Sequence, residues 1–264
     1  MPPLVATLTA ARRAAERLLE VDPVAAEQIV DAVANALARR SATVSPLARD
    51  ERAAIEREGA CVALFRASSS RRRHDFVGAA LLLAEGFPYL AAAERARLSL
   101  ERALVAAELA GPWELDLPAS LGERERVRAR LEPAARHIDA ALAGGGGSGL
   151  AHLLAGAIAR CRGDDHAAVH HLDRAVSRLP PEDLPPERWA TVRLHRELAA
   201  LTGAGRTDGA VAAIVAALDD GARASPELLD HACDRLTALD VEAAELRRRA
   251  AHLALTPAPP PREP

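Results

Sequence analysis

Three histidines and three aspartates lie between residues 164 and 173, and these residue types serve as metal ligands. His166 and His170 are four residues apart, so on a helix their imidazoles would lie one turn apart on the same face. No HExxH arrangement accompanies them, and the spacing fixes no third ligand. The pattern favours an exposed polar helix, with His166 and His170 as weak candidates for a metal site.

A run of four glycines at 144–147 superficially resembles a phosphate-binding loop. Such a loop needs Lys and then Ser or Thr directly after its last glycine. Here Gly149 is followed by Leu150 and Ala151. The sequence therefore predicts a flexible linker over 144–149.

Two further polar segments adjoin each other at residues 68–75. Three serines and three arginines over 68–73 predict a solvated break after a helix that ends near Phe65, although a phosphate there would pair with the guanidinium groups. His74 and Asp75 are similar to a ligand pair of metal-dependent phosphohydrolases. That motif needs an additional upstream histidine, and none precedes His74. The pair therefore predicts a polar helix start.

Composition excludes several classes of function. All 34 basic residues are arginine, so the chain has no lysine for a Schiff base or a phosphate-binding loop. Net charge is −3, and aromatic residues make up only 2% of the chain, which argues against nucleic-acid binding. No nucleophile-elbow motif is present, although a Ser or Cys nucleophile outside such a motif stays open. We expect neither catalysis nor a cofactor.

The cysteines and the apolar segments indicate a cytoplasmic protein. The three cysteines are isolated, with no CxxC pair, which is typical of reduced thiols. The apolar stretch at the N-terminus is interrupted by charged residues, so no signal peptide is predicted. The most apolar window, 76–93, is broken by Glu85, Gly86 and Pro88, which argues against a membrane span.

Apolar residues recur with helical spacing along most of the chain. Residues 24–38 illustrate this, with Ile29, Val33 and Leu37 on one face. Sustained alternation of apolar and polar residues is absent, and a core poor in aromatic side chains suits closely packed helices better than sheets. The sequence therefore predicts an all-α fold.

Small residues, one leucine that packs between them, and a proline at fixed spacing define a repeat-like segment over 149–182. They are Gly156, Ala168, Leu172, Ala175 and Pro180. This spacing resembles the tetratricopeptide repeat, a helix–turn–helix unit of about 34 residues in which small side chains let two helices touch and a proline follows the second helix. The resemblance is weaker over 187–222, where Ala210, Ile214 and Ala217 repeat the second-helix spacing.

The resemblance implies a stack of antiparallel helix pairs, an α-solenoid of the tetratricopeptide type. Four segments are predicted. They are an irregular helical region at 1–143, the glycine-rich linker at 144–149, helical repeats at 150–255, and a disordered proline-rich tail at 256–264.

The function implied by the resemblance is a non-catalytic interaction module, a scaffold or adaptor that binds a peptide or protein segment. In such repeats the first helix lines the groove. The residues that would face the partner are Leu150, Leu153, Ala157, Arg160 and Cys161. An apolar floor with Arg160 suggests a helical or extended partner segment of some acidic character. Nucleic acid and membrane are not expected partners.

Two points stay open at this stage. The alternative function is a helical regulatory or sensor domain that binds a small ligand or a metal through His166 and His170. Trp113 and Trp189 lie near helix boundaries, where a tryptophan either anchors a partner or, more often, closes a core between helices. Neither the partner nor the oligomeric state follows from the sequence.

Overall fold

The computed structural model describes residues 3–19, 21–42, 49–84, 87–109, 124–144, 147–180 and 184–255. Within these ranges the chain forms twelve helices and no strand, so the prediction of an all-α protein is confirmed. The helices are α1 (Pro3–Leu18), α2 (Pro23–Ser41), α3 (Arg49–Arg72), α4 (Phe76–Leu83), α5 (Ala92–Leu109), α6 (Arg124–Ala143), α7 (Gly149–Arg162), α8 (Asp165–Arg178), α9 (Pro186–Ala204), α10 (Ala210–Asp219), α11 (Pro226–Ala238) and α12 (Ala244–Leu255).

The chain divides into two compact units. The first comprises Met1–Leu109 with Ala140–Gly146, and the second comprises Ala110–Asp139 with Gly147–Pro264. Most helices that follow each other in sequence pack together within each unit. The predicted linker at 144–149 and tail at 256–264 remain predictions, because residues 145, 146 and 256–264 lie outside the described ranges.

In the first unit, α3 contacts α1, α2, α4 and α5. The sequence prediction for its C-terminal end was wrong, because the helix continues through residues 68–72. Ser68, Ser69 and Ser70 are buried, at 4%, 4% and 7% exposure. Carboxylates from other helices satisfy two of them, since Ser68 Oγ donates to Glu101 Oε1 at 2.7 Å and Ser69 Oγ donates to Glu27. A polar side chain can be buried without a large loss of stability when it forms hydrogen bonds, as these two serines do.

The predicted polar helix start at Asp75 is confirmed. Its carboxylate accepts a hydrogen bond from Gly78 N at 2.9 Å and caps α4. An aspartate in this position satisfies a backbone N–H that lacks a partner within the helix.

In the second unit, α7 and α8 pack where the repeat-like spacing predicts a close contact. A Cβ atom at Gly156 would lie 2.7 Å from Leu172 Cδ2, so only glycine leaves room for the leucine. Ala168, Leu172 and Ala175 are fully buried. Gly163, at φ +77°, ends α7 in the left-handed conformation, and Asp164 caps α8 through Ala167 N. Leu179 is extended before Pro180, so the helix stops there.

The remaining helices of this unit continue the sequential packing. Helix α8 contacts α9, α9 contacts α10 and α11, and α12 contacts α10 and α11. Ala210, Ile214 and Ala217, the residues of the weaker repeat-like spacing, lie in the core. Packing in neighbouring pairs is compatible with a helical repeat.

Candidate functional site

The residues predicted to line a groove lie on α7. Leu150 is half-buried, whereas Leu153, Ala157, Arg160 and Cys161 are 2%, 1%, 2% and 3% exposed. The role of these five residues in partner binding stays a prediction. In the folded chain, however, Leu153, Ala157, Arg160 and Cys161 expose almost no surface that a partner could contact. Every residue over 151–161 is buried. The sequence carries that signal, because a helix that is apolar on nearly every side belongs inside a core.

Arg160 belongs to a buried polar network that connects three helices. Its guanidinium forms an ion pair with Asp165 in the first turn of α8. The other oxygen of Asp165 accepts a hydrogen bond from Thr202 Oγ1 of α9 at 2.5 Å. Burial lowers the pKa of Arg160, and the negative charge of Asp165 opposes this shift. The arginine thus holds the end of α7 against α8 and α9.

His195 of α9 is fully enclosed in the same unit. Within the described residues, neither of its ring nitrogens has a hydrogen-bond partner, and neither do the buried Nε atoms of Arg124 and Arg160. Burial, followed by the positive charges of Arg160 and Arg124, holds the pKa of His195 well below its usual value. The imidazole is therefore neutral at pH 7.

The histidines singled out as metal candidates lie on the exposed side of α8. His166 and His170 are both exposed, and the His170 ring instead contacts His171, with ring centroids 5.2 Å apart. Among the described residues, no group of three or more His, Cys, Asp or Glu side chains is arranged to hold a metal ion.

A different histidine pair joins α7 to α8, and the sequence analysis missed it. His152 Nδ1 lies 3.1 Å from His171 Nδ1, and His152 Nε2 lies 3.3 Å from Arg178 Nη1. A guanidinium only donates, so His152 Nε2 must accept. The proton of neutral His152 therefore lies on Nδ1, which donates to His171. His152 precedes His171 by 19 residues, a separation that no short motif records.

Both histidines of this pair favour the neutral form. Burial lowers the pKa of His152 to about 4, and His171 and Arg178 add to the shift. Burial also lowers the pKa of His171, followed by the effect of His170. Both imidazoles are therefore uncharged at pH 7, and a proton added at either acceptor nitrogen, His152 Nε2 or His171 Nδ1, would break its hydrogen bond.

The cysteines are buried thiols. No disulfide joins any of them within the described structure. Burial raises the pKa of Cys61 to about 11, so it stays protonated at pH 7 and is a poor nucleophile.

An open apolar groove lies on the second unit, and we call it the Trp189 groove. It has a volume of about 540 Å³. The residues that line it are Val176, Leu179, Pro186, Trp189, Arg193 and Asp220. Trp189 is only half-buried, so part of its side chain is available at the surface of the groove. Trp113, the other tryptophan considered above, lies outside the described ranges. At the rim, Arg193 Nη2 donates to Asp220 Oδ2 at 2.8 Å.

A larger and more charged groove lies between α1 and α3 of the first unit. It has a volume of about 670 Å³ and an apolar portion that includes Val5 and Ala54. Two of its arginines are paired. Arg12 Nε donates to Glu58 at 2.5 Å, and Arg57 binds both oxygens of Glu94. The groove thus neutralises much of its own charge.

Comparison with protein-family models, with curated proteins and with solved structures finds no match to this chain. In the described part of the chain, no helix is both long enough and apolar enough to cross a membrane.

Proposed function

We propose that the second unit is a helical-repeat interaction module of the tetratricopeptide type, and that it binds an extended apolar segment of a partner protein in the Trp189 groove. The observation that carries this proposal is the half-buried tryptophan in an open apolar groove on a unit with repeat-like helix packing. Tryptophan is enriched among the residues that dominate binding energy at protein interfaces.

The composition of the groove supports an apolar occupant. Val176, Leu179, Pro186 and Trp189 supply apolar walls, and the volume falls within the range of about 300–1,000 Å³ that is typical of ligand sites. The rim carries one cation and one anion, which already pair with each other. A partner therefore gains more by burying aliphatic or proline side chains against Trp189 than by supplying charge.

This proposal shifts the contact surface away from the five residues predicted on α7. An acidic partner at Arg160 would have to displace Asp165, and the surrounding core would have to open. The Trp189 groove is formed by α8, α9 and α10, so a partner reaches it without rearranging the fold. The proposed function is still partner binding, but the proposed contact surface is the Trp189 groove and not α7.

Selection of peptides from a displayed random 12-residue library on the immobilised full chain tests the proposal. We expect apolar peptides to be enriched and to bind with micromolar affinity, measured by fluorescence anisotropy. Trp189→Ala should weaken binding by at least about tenfold, because truncation of a residue that dominates an interface costs about 2 kcal/mol or more. Val176→Arg, which places a charge in the same groove, should weaken it similarly.

The matched control is Leu239→Ala, since Leu239 is a partly exposed apolar residue of the same unit outside the groove. This variant should bind the selected peptides as the native chain does. Circular dichroism melting should show that Trp189→Ala and Val176→Arg remain folded. Peptides that bind all variants equally, or a selection without enrichment, would show that this groove is not the interaction surface.

A further inference from the structure

We infer that the charged groove between α1 and α3 of the first unit binds a carboxylate that carries an aliphatic chain. The carboxylate binds Arg13 and Arg17, and the chain lies along the apolar portion of the groove. All residues that line this groove belong to the first unit, whereas the Trp189 groove belongs to the second. The inference is therefore independent of the proposed peptide binding.

The groove supplies both room and apolar walls for such a molecule. Its volume of about 670 Å³ falls within the range of about 300–1,000 Å³ that is typical of ligand sites. Ala6 and Ala10 line it from α1, and Ala54 lines it from α3. None of these three side chains is fully buried, so an aliphatic chain in the groove contacts apolar surface of both helices.

Two arginines of the groove have no carboxylate partner. Arg13 and Arg17 are exposed and four residues apart on α1, so their side chains lie one turn apart on the same face. Within the described ranges neither of them forms an ion pair. Glu16, the one acidic residue of α1, binds Arg12 and Arg97 at 2.8 and 2.5 Å. Two neighbouring guanidinium groups suit one carboxylate, because each can donate to one of its oxygens.

The other two arginines of the groove are already paired. Arg12 Nε donates to Glu58, and Arg57 binds both oxygens of Glu94. The third acidic residue of the lining, Asp50, lies in the first turn of α3, where the helix dipole favours a negative charge. The lining contains four arginines and three acidic residues, so its charge is complementary to that of an anion.

The order of residues along α1 requires a ligand with two chemically different ends. Ala6 lies seven residues before Arg13 and eleven before Arg17. At about 1.5 Å of rise per residue, the apolar and the cationic positions are separated by roughly 10–16 Å along the helix axis. A simple inorganic anion would use only the cationic end, and an uncharged hydrocarbon would use only the apolar one. A carboxylate with an aliphatic chain uses both.

Isothermal titration calorimetry of the full chain with decanoate at pH 7, below its micelle-forming concentration, tests the inference. Decan-1-ol has the same chain without the charge, and acetate has the same head without the chain. We expect decanoate to bind at least about tenfold more tightly than decanol, because it adds charge-assisted hydrogen bonds to two guanidinium groups. Octanoate, with two fewer methylene groups, should bind about tenfold more weakly than decanoate. Acetate should not bind measurably at these concentrations.

Two double variants with the same change in net charge separate this site from general attraction of anions. Arg13→Gln with Arg17→Gln should weaken decanoate binding by at least about tenfold and leave decanol binding unchanged. Arg39→Gln with Arg52→Gln removes two exposed arginines of the same unit outside the groove, and it should bind decanoate as the native chain does. Because all four side chains are exposed, both variants should keep the native Tm.

The apolar portion has its own matched pair of variants. Ala10→Glu places a carboxylate in the groove and should abolish decanoate binding. Ala38→Glu, at an exposed position of α2 outside the groove, should leave it unchanged.

Several outcomes would overturn the inference. One is a native chain that does not bind decanoate, and another is binding that persists in Arg13→Gln with Arg17→Gln. An acidic amphipathic peptide that binds more tightly than decanoate, and loses its binding in the same double variant, would assign the groove to a protein partner instead. Dimerisation of the native chain that this variant abolishes would assign the groove to a second copy of the chain.

Discussion

In the first unit the buried Arg12 meets Glu58, whereas in the second unit the buried Arg160 shares its surroundings with another arginine and an unpaired histidine. Side chains of Arg12 and Glu58 are 6% and 5% exposed, and Thr9 Oγ1 adds a hydrogen bond to Glu58. Arg160 has Asp165 as its carboxylate, but Arg124 brings an excess positive charge. Among the described residues, the buried Arg12 therefore has a buried carboxylate as its partner, whereas Arg160 pairs with a partly exposed one and is also influenced by the charge of Arg124.

The surroundings of Arg12 and of Arg160 are two different environments for a buried arginine. The pair of Arg12 and Glu58 requires its cation, because Glu58 alone would be an uncompensated ion in a medium of low polarity. In the second unit, by contrast, the buried Nε of Arg160 and both ring nitrogens of His195 have no hydrogen-bond partner among the described residues. The four predictions below test this contrast, from the largest expected effect to the smallest.

Removal of one partner from the balanced pair should have the largest effect. Arg12→Met leaves Glu58 buried without its cation, so the free energy of unfolding should fall by about 3–5 kcal/mol. Urea unfolding followed by circular dichroism measures this change. In the double variant with Glu58→Leu most of the loss should be recovered. If the double variant were as unstable as Arg12→Met, lost packing and not lost pairing would be the cause.

Acid should weaken the second unit before the first. The folded pKa of His152 is about 4, below its ordinary value of 6.5, so the unfolded chain binds more protons between these values. The associated stability is present above pH 6.5 and is lost as pH falls toward 4, by about 2–3 kcal/mol.

Hydrogen exchange at pH 7 and pH 5 would locate this loss. Amides of α7 and α8 should lose protection at pH 5, while amides of α2 and α3 in the first unit should change little, since His74 is the sole histidine of that unit. His152→Gln should flatten the pH dependence in α7. A uniform loss of protection in both units would rule out the His152–His171 pair as its origin.

Arg160→Met should be less costly than Arg12→Met. Asp165 loses its cation but is partly exposed and keeps its hydrogen bond from Thr202. Removing Arg160 also relieves repulsion with Arg124, so we expect less than half of the Arg12 effect, about 1–2 kcal/mol. Urea unfolding in chloride buffer measures it. An equal or larger loss than in Arg12→Met would remove the proposed contrast between the units.

Helix caps should show no such contrast. Asp75 and Asp164 each accept one backbone hydrogen bond, at 2.9 and 3.0 Å, in the first and second unit respectively. Asp75→Ala and Asp164→Ala should each lower the free energy of unfolding by about 1 kcal/mol. A difference of more than that amount between the two would mean that the units differ in more than buried charge.

Short-range features of this fold could be predicted from the sequence. Gly156, Leu172 and Pro180 indicated a helix pair and its end because glycine spacing and proline act within one or two turns. Asp75 was also correctly read as a helix start. Such signals depend on residues within one helix or within two consecutive helices.

Long-range contacts could not be predicted in this way. From the sequence, Ser68 and Ser69 were predicted to lie in a loop. In the structure they are helical and buried, because Ser68 bonds to Glu101, 33 positions away, and Ser69 bonds to Glu27, 42 positions away. The Trp189 groove likewise needs residues from Val176 to Asp220 to converge. The prediction of a groove face on α7 assumed the register of a repeat, whereas the burial of Arg160 depends on partners on other helices.

The contact between Gly156 and Leu172 also constrains how this chain can diverge. Space for a methyl group at position 156 exists only if the side chain at 172 becomes smaller, because the glycine position already lies against the leucine. In related sequences the sizes of these two residues should therefore vary inversely. An alanine at 156 beside an unchanged leucine would mark a chain in which α7 and α8 have moved apart.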